Sequence, residues 1–272
     1  MIEIAFDPII AQIGPFQLGW HGVFTALAIV VAVWFGVSRA ERGGVSGDLL
    51  GDVVLWAIVS GLVGARLFHV LEHLPYYSAN PLAAFAIWQG GIAVYGAFVG
   101  GVVGGWLAAR QARLPSWRLL DAAAPAILVG QGIGRVGCLA NGDAWGGPCS
   151  HGVCVIYRHA NAAIPADLRD VPTHPYPLYE IVGAGVLLLG LWFVERRMQL
   201  RQGTLFLIAA VGYGVIRFSL SFYRQEQILL WGLQEAQLVA IVTGAAALGA
   251  LLWRERSLIV RTVSPGTNPR PG

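Results

Sequence analysis

Seven long apolar stretches, separated by short polar segments, dominate this chain of 272 residues. A helix needs roughly 17–25 predominantly apolar residues to cross the hydrocarbon core of a bilayer, and each stretch is of about that length. The pattern therefore predicts an all-α polytopic membrane protein with about seven transmembrane helices, whose two ends lie on opposite sides of the membrane. The predicted spans lie at about 18–38, 49–71, 91–109, 120–137, 178–194, 203–220 and 237–253.

Glycines recur every fourth residue along the third predicted span, at positions 96, 100 and 104 and again at 101 and 105. Small residues at this spacing allow two helix backbones to approach closely in lipid. The pattern predicts tight packing of the third span against a neighbouring helix.

The overall composition supports the same class of protein. Hydrophobic residues make up 56% of the chain and charged residues 12%, whereas soluble domains carry about 25% charged residues. Residues 1–7 contain acidic but no basic side chains, so a cleaved signal peptide is not expected at this end.

The basic residues predict how the chain is oriented. All eighteen are arginines; twelve fall in one set of predicted loops and the C-terminal tail, three fall in the other set, and three lie within spans. Because loops rich in arginine and lysine stay in the cytoplasm, we expect the N-terminus outside and the C-terminus in the cytoplasm of a bacterial inner membrane. The sequence contains no basic patch with interleaved aromatic residues, so it gives no sign of nucleic-acid binding.

We expect one transmembrane domain over residues 1–262, with a small extracytoplasmic head segment at about 138–177. Residues 263–272 are rich in proline and glycine and are predicted to form a disordered cytoplasmic tail. Cys149 and Cys154 lie in the head, where oxidation is permitted, so they either form a disulfide or remain free. A metal site with His151 is less favoured because no fourth ligand stands at a recognisable spacing.

Arg135 is the first candidate for chemistry, because it lies where an apolar helix runs into the glycine-rich, polar segment 132–146. Burying an unpaired guanidinium at membrane depth costs at least about 2.5 kcal/mol, so an arginine there indicates an anionic partner. Asn141 and Asp143 follow closely enough to orient this arginine or to bind the partner.

A second cationic face is predicted on the sixth span. At about 100° per residue, Tyr213, Arg217 and Arg224 fall on one stripe of the helix. Arg217 either binds an anionic ligand or pairs with a buried acid such as Glu180. Arg224 either joins it or extends to the membrane surface.

Three blocks of the chain resemble the signatures of the bacterial prolipoprotein diacylglyceryl transferases, and they occur in the family's order. The matching residues are Gly134-Arg135, Asn141 and Trp145-Gly146; then His174-Pro175 and Leu178-Tyr179-Glu180; then Tyr213-Gly214, Arg217 and Arg224-Gln225. Near the N-terminus, Phe6-Asp7-Pro8, Ile13-Gly14-Pro15, Trp20 and Gly22 are also similar, as are Trp88 and Gly90-Gly91.

The chain departs from the family pattern at several polar positions, among them Tyr176 and Pro177, which replace Ser and Gln. Cys138 stands where the family usually has Asn, Asp143 replaces Glu, and Ser221 replaces Glu. Tyr95 stands where many members have a His, and His21 where they usually have Tyr. We interpret the last two changes as an exchange of the two residue types between two spans.

The resemblance implies transfer of the diacylglyceryl group from phosphatidylglycerol to the lipobox cysteine of a prolipoprotein, at the outer face of the cytoplasmic membrane. It implies no cofactor and no metal. The partners are then phosphatidylglycerol, prolipoprotein signal peptides and the lipid bilayer. The implied catalytic residues are Arg135, Arg217, His21, Tyr95 and Tyr213, and the implied substrate-binding residues are Arg135, Asn141, Asp143, His174, Glu180, Arg224 and Arg66.

Several of these roles have alternatives. The base that activates the thiol is His21, Tyr95 or His174, and His21 and His174 are equally compatible with packing roles. Arg66 either binds a lipid headgroup or pairs with Glu72. A metal at His69 and His73 is disfavoured, because no third ligand is apparent from the sequence.

Two functions compete with transfer. Arginines inside a membrane also mark anion or lipid transport pathways. The departures at positions 95, 138, 143 and 221 are also compatible with a relative that binds phospholipid without transferring it.

Overall fold

The computed structural model describes residues 1–14, 16–86, 90–91, 93–224 and 228–263, with backbone alone at 16, 94–95 and 256–263. Eight α-helices make up most of the structure. They are α1 Trp20–Arg42, α2 Gly47–Glu72, α3 Leu74–Ala79, α4 Val94–Gln111, α5 Ser116–Asn141, α6 Tyr176–Arg197, α7 Thr204–Ser221 and α8 Glu235–Val263.

The membrane architecture predicted from the sequence is confirmed. Within the part of the chain that the structure describes, six helices are long and apolar enough to cross a membrane, namely α1, α2, α5, α6, α7 and residues 235–255 of α8. The 18-residue helix α4 lies at the position of the predicted third span. The short helix α3 and a 3-10 turn at Pro81–Phe85 lie between α2 and α4 and were not predicted.

The glycine repeat of the third span packs α4 against α2, as expected. A Cβ atom at Gly64 of α2 would overlap the carbonyl oxygen of Gly96, and one at Gly100 would overlap the carbonyl oxygen of Ser60. Helix α1 packs in the same close manner on α5, where a Cβ at Gly137 would lie 3.2 Å from the Cα of His21. This approach brings the start of α1 to the end of α5.

The predicted head lies between α5 and α6 and also contains strands. Strand β4, Val155–Tyr157, pairs in parallel with β1, Ile2–Ile4, so the N-terminal residues belong to the same unit. The Tyr157 hydroxyl donates a 2.9 Å hydrogen bond to the carbonyl of Leu139, which fixes the head on the last turn of α5. Burial raises the pKa of this hydroxyl, so Tyr157 stays neutral.

Two hairpins flank the helices. Strand β2, Ile9–Ile13, pairs antiparallel with β3, Phe16–Gly19, and strand β5, Ile228–Leu230, pairs antiparallel with β6, Leu233–Gln234.

Cys149 and Cys154 form a disulfide in the head, which resolves the alternative left open by the sequence. Arg158 of the head pairs with Glu3 of the N-terminal strand at 2.6 Å and with Asp170 of the head itself at 3.0 Å. The tail was predicted at 263–272; residue 263 ends α8, and residues 264–272 lie outside the described residues.

Candidate active site

Three helix segments deliver the polar side chains of the candidate site to one end of the bundle. The last turns of α5 carry Arg135, Cys138 and Asn141, and the first two turns of α6 carry Tyr176 and Glu180. Helix α7 contributes Tyr213 and Arg217. Gly142 ends α5 in the left-handed conformation, and its φ of 78° turns the chain into the head.

Glu180 binds both predicted arginines. One carboxylate oxygen contacts Nε of Arg135, and the other lies 2.9 Å from a terminal nitrogen of Arg217. The Glu180 side chain is 1% exposed, whereas those of Arg135 and Arg217 are 21% and 17% exposed. Of the two alternatives left open for Arg217, the structure shows the pairing with Glu180, and the carboxylate also contacts Arg135.

The electrostatic balance of this group still favours an anion. Two guanidinium groups share a single carboxylate, so the three side chains carry a formal charge of +1. Both arginine side chains remain partly exposed, so an anion can reach this positive charge.

Tyr176 is the functional residue that the sequence reasoning missed. Its hydroxyl accepts a hydrogen bond from Arg217 and donates a 3.3 Å bond to Glu180. The guanidinium of Arg224 lies over the same ring, 5.4 Å from its centroid. The signal was present in the sequence, because Tyr176 and Glu180 are four residues apart and share a helix face.

Tyr213 lies beside the arginines but takes a different partner. Its hydroxyl accepts a 2.8 Å hydrogen bond from the side-chain amide of Gln131 on α5. The bond ties α7 to α5 within the site, so Tyr213 acts at least as a positioning group. Gln131 had not been singled out from the sequence.

His21, Cys138 and Asp143 form a second cluster beside Arg135. The His21 Nδ1 atom lies 2.8 Å from a carboxylate oxygen of Asp143 and 3.8 Å from the Cys138 sulfur. Arg135 donates to that sulfur at 3.5 Å, and Asn141 donates to the Asp143 carboxylate at 3.1 Å. The cluster thus joins His21 to Asp143 and Asn141, the two residues that the sequence placed near Arg135.

Asp143 is held in its ionised form. Its partial burial opposes ionisation, but hydrogen bonds from His21 and Asn141 outweigh that effect and keep the pKa of the carboxyl below its ordinary value. An imidazole that donates Nδ1–H to this carboxylate is left with Nε2 as a proton acceptor. The side chain of Tyr95, the other half of the proposed exchange, lies outside the described residues.

His174 lies in an aromatic group at the entrance to α6. Its Nδ1 atom is 3.1 Å from the Tyr179 hydroxyl, and its ring is edge-on to that of Tyr223, with centroids 5.3 Å apart. The backbone of His174 also exchanges hydrogen bonds with Gly146 and Gly147. These contacts are those of a residue that fixes the head against α6.

The structure corrects the predicted role of Arg66. This side chain is 8% exposed, and it donates to backbone carbonyls rather than facing the site. The acceptors are Ala83, Ala84, Ala86, Gly90 and Gly91. We therefore assign Arg66 to holding the segment between α3 and α4, instead of to a lipid headgroup or to Glu72.

Known proteins resemble this chain along nearly its whole length. The family model for prolipoprotein diacylglyceryl transferase matches residues 8–253. A protein named phosphatidylglycerol–prolipoprotein diacylglyceryl transferase from Dehalococcoides mccartyi is 35% identical over 257 residues, which cover 94% of this chain and 96% of that protein. Proteins of the same name from Nostoc sp. and Halalkalibacterium halodurans are 32% and 33% identical, covering 90% and 93% of this chain and 88% and 87% of their own lengths.

The helical architecture, the two arginines bridged by one acid and the match across nearly the whole chain lead to one assignment. The chain belongs to the prolipoprotein diacylglyceryl transferase family.

Proposed function

We propose that this protein transfers the sn-1,2-diacylglyceryl group from phosphatidylglycerol to the lipobox cysteine of prolipoproteins and releases glycerol phosphate. The observation that carries the proposal is the pair Arg135 and Arg217, held by one buried carboxylate with a net positive charge. The names of the relatives point to the same two substrates.

The reaction explains why two arginines are useful. The substrate sulfur attacks the sn-3 carbon of the glycerol backbone, the bond from that carbon to the phosphate oxygen breaks, and a phosphate monoester leaves with the bonding electrons. Negative charge therefore gathers on phosphate oxygens as the bond breaks. Preorganised charge-assisted donors at such a position each contribute about 10²–10³ in rate.

The sulfur must first lose its proton, because a thiol with a pKa of about 8.5 is only slightly ionised at neutral pH. In the proposed mechanism His21 accepts that proton, and Asp143 orients the imidazole and stabilises its cation through the 2.8 Å contact. Asn141 supports Asp143, Tyr176 fixes the guanidinium group of Arg217, and Tyr213 ties α7 to α5 through Gln131. Arg224, over the ring of Tyr176, adds positive charge at the rim.

We place the site at the outer face of a bacterial inner membrane, with the N-terminus outside and the C-terminus in the cytoplasm. In this arrangement residues 1–262 form a single catalytic domain. The asymmetric distribution of arginines among the loops supports this orientation.

Complementation tests the proposed function in cells. Expression of this chain in a bacterium depleted of its own transferase should restore growth and the mature, lipid-modified form of a reporter lipoprotein. A protein that only binds or transports lipid would be inserted into the membrane at the same level but would leave unmodified prolipoprotein to accumulate.

A further inference from the structure

Three of the positions at which this chain departs from the family pattern meet in space. Each of these residues, His21, Cys138 and Asp143, offers one potential ligand atom, and the three atoms lie within 4.8 Å of one another. The sequence separates His21 from Cys138 by 117 positions, and only the close packing of α1 on α5 brings them together. An imidazole nitrogen, a thiol sulfur and a carboxylate oxygen are the three ligand types that zinc takes in proteins.

The distances are close to those of a tetrahedral zinc site. Zinc bonds of about 2.0–2.1 Å to nitrogen and about 2.3 Å to sulfur, at a tetrahedral angle, place the two ligand atoms about 3.6 Å apart. The His21 nitrogen and the Cys138 sulfur are 3.8 Å apart. Nitrogen and oxygen ligands would lie about 3.4 Å apart, so the 2.8 Å contact between His21 and Asp143 must open by roughly half an ångström.

The surroundings of Asp143 support such a change. Its second carboxylate oxygen is buried and has no hydrogen-bond partner among the described residues. The side-chain amide of Asn141 donates to the first oxygen at 3.1 Å and would remain as an outer partner that orients the ligand. The side chain of Asp143 follows the left-handed turn at Gly142, outside the regular helix.

Charge and access also permit a cation here. A deprotonated Cys138 and an ionised Asp143 carry two negative charges, which balance a divalent ion. Arg135 lies 3.5 Å from the Cys138 sulfur and also contacts the buried carboxylate of Glu180. The His21 side chain is 44% exposed, which leaves a route for an ion to enter.

We propose that His21, Cys138 and Asp143 form a binding site for a thiophilic divalent cation of the zinc class, and that its occupancy inhibits the enzyme. Binding releases the Cys138 thiol proton to solvent and replaces the contact between His21 and Asp143 with bonds to the metal. With Nδ1 bonded to the metal, the imidazole proton resides on Nε2, so His21 can no longer accept the substrate proton. The inhibition rests on the proposed function, whereas binding of the ion does not.

A second group of potential ligands, His69, Glu72 and His73, supplies an internal control. The structure adds Glu72 as a third potential ligand, which was not apparent from the sequence. This group lacks a thiol, and its side chains lie at the head end of α2, with Glu72 and His73 exposed. Metal bound there gives no sulfur-to-metal charge-transfer band.

The test is titration of the full-length, detergent-purified protein with Co²⁺ alone, followed by displacement with Zn²⁺. We expect a near-ultraviolet sulfur-to-cobalt charge-transfer band that saturates at about one equivalent and disappears when zinc is added. The double variant His69→Ala with His73→Ala should keep the band. Cys138→Asn, which introduces the residue implied by the family pattern, should abolish it.

Transfer rates measured with and without zinc provide the second readout. Zinc should inhibit the parent protein at least tenfold more strongly than Cys138→Asn, and a chelator should restore activity. If the parent protein shows no sulfur-to-cobalt band, the three side chains form a hydrogen-bonded cluster only, and the proposed metal site is wrong. A band without zinc inhibition would overturn the inhibitory role, and a band in a protein that never transfers lipid would count against the proposed function alone.

Discussion

Glu180 lies 2.9 Å from Arg217 with a carboxylate that is almost completely buried, and it contacts Arg135 through its other oxygen. One acid from α6 thereby fixes guanidinium groups from α5 and α7. The two cations are held at a defined separation before any substrate binds, so the proposed phosphate site is preorganised.

Replacement of Arg135 or Arg217 by lysine should lower diacylglyceryl transfer by about 10²–10³-fold while leaving membrane insertion intact. Lysine keeps the charge but loses the planar fork that binds Glu180 and phosphate together. Initial rates of purified variants provide the measurement. Arg39→Lys is the matched control, since Arg39 pairs with Glu195 away from the site, at 2.6 Å. If either site variant transfers lipid at a near-parental rate, that arginine does not belong to the proposed phosphate site.

Replacement of Glu180 by glutamine should destabilise the protein as well as inactivate it. Removing one member of a buried ion pair costs about 3–5 kcal/mol, because the remaining charges lose their partner. Thermal unfolding in detergent should show a lower midpoint for this variant than for Glu195→Gln, whose side chain is 45% exposed. Equal midpoints for the two variants would contradict the bridging role.

His21→Ala should reduce turnover by about 10²–10⁴-fold, the usual contribution of a general base. If the imidazole and phenol have exchanged positions, then His21→Tyr combined with Tyr95→His should recover part of the loss. Initial rates of both single variants and the double variant decide this. A fully active His21→Ala protein would return His21 to a packing role and leave Tyr95 and His174 as candidates.

The disulfide in the head offers a test of orientation. After mild reduction of intact spheroplasts, an impermeant thiol reagent should label Cys149 and Cys154 from the outside. The control is the double variant Cys149→Ser with Cys154→Ser. It should lose the label, because the remaining cysteine, Cys138, is only 8% exposed. Labelling confined to inverted vesicles would place the head in the cytoplasm and the site with it.

The sequence predicted the parts of this fold that depend on hydrophobic length and local spacing. The helices, the close packing at Gly96 and Gly100, and the candidate roles of Arg135 and Arg217 follow from composition and periodicity. The pairing of β1 with β4 was not predictable, because it joins residues about 150 positions apart through backbone bonds.

Side-chain partners were harder to predict than helices. Arg66 donates to backbone carbonyls, and backbone acceptors leave no pattern in the sequence. From the sequence alone it therefore looked like a cation available to a lipid headgroup. Cys138 appeared only as a departure from a pattern, and Asp143 as a possible partner of Arg135 or of the substrate. Their contact with His21 depends on how closely α1 packs on α5.

Transfer by the purified protein tests the central claim most directly. The protein, reconstituted with phosphatidylglycerol labelled in its headgroup, is incubated with a lipobox peptide, and both products are followed. We predict that glycerol phosphate is released in equal amounts to thioether-linked diacylglyceryl peptide, and that Arg217→Lys abolishes both. Stable binding of phosphatidylglycerol without release of glycerol phosphate would contradict the account and identify the protein as a lipid binder.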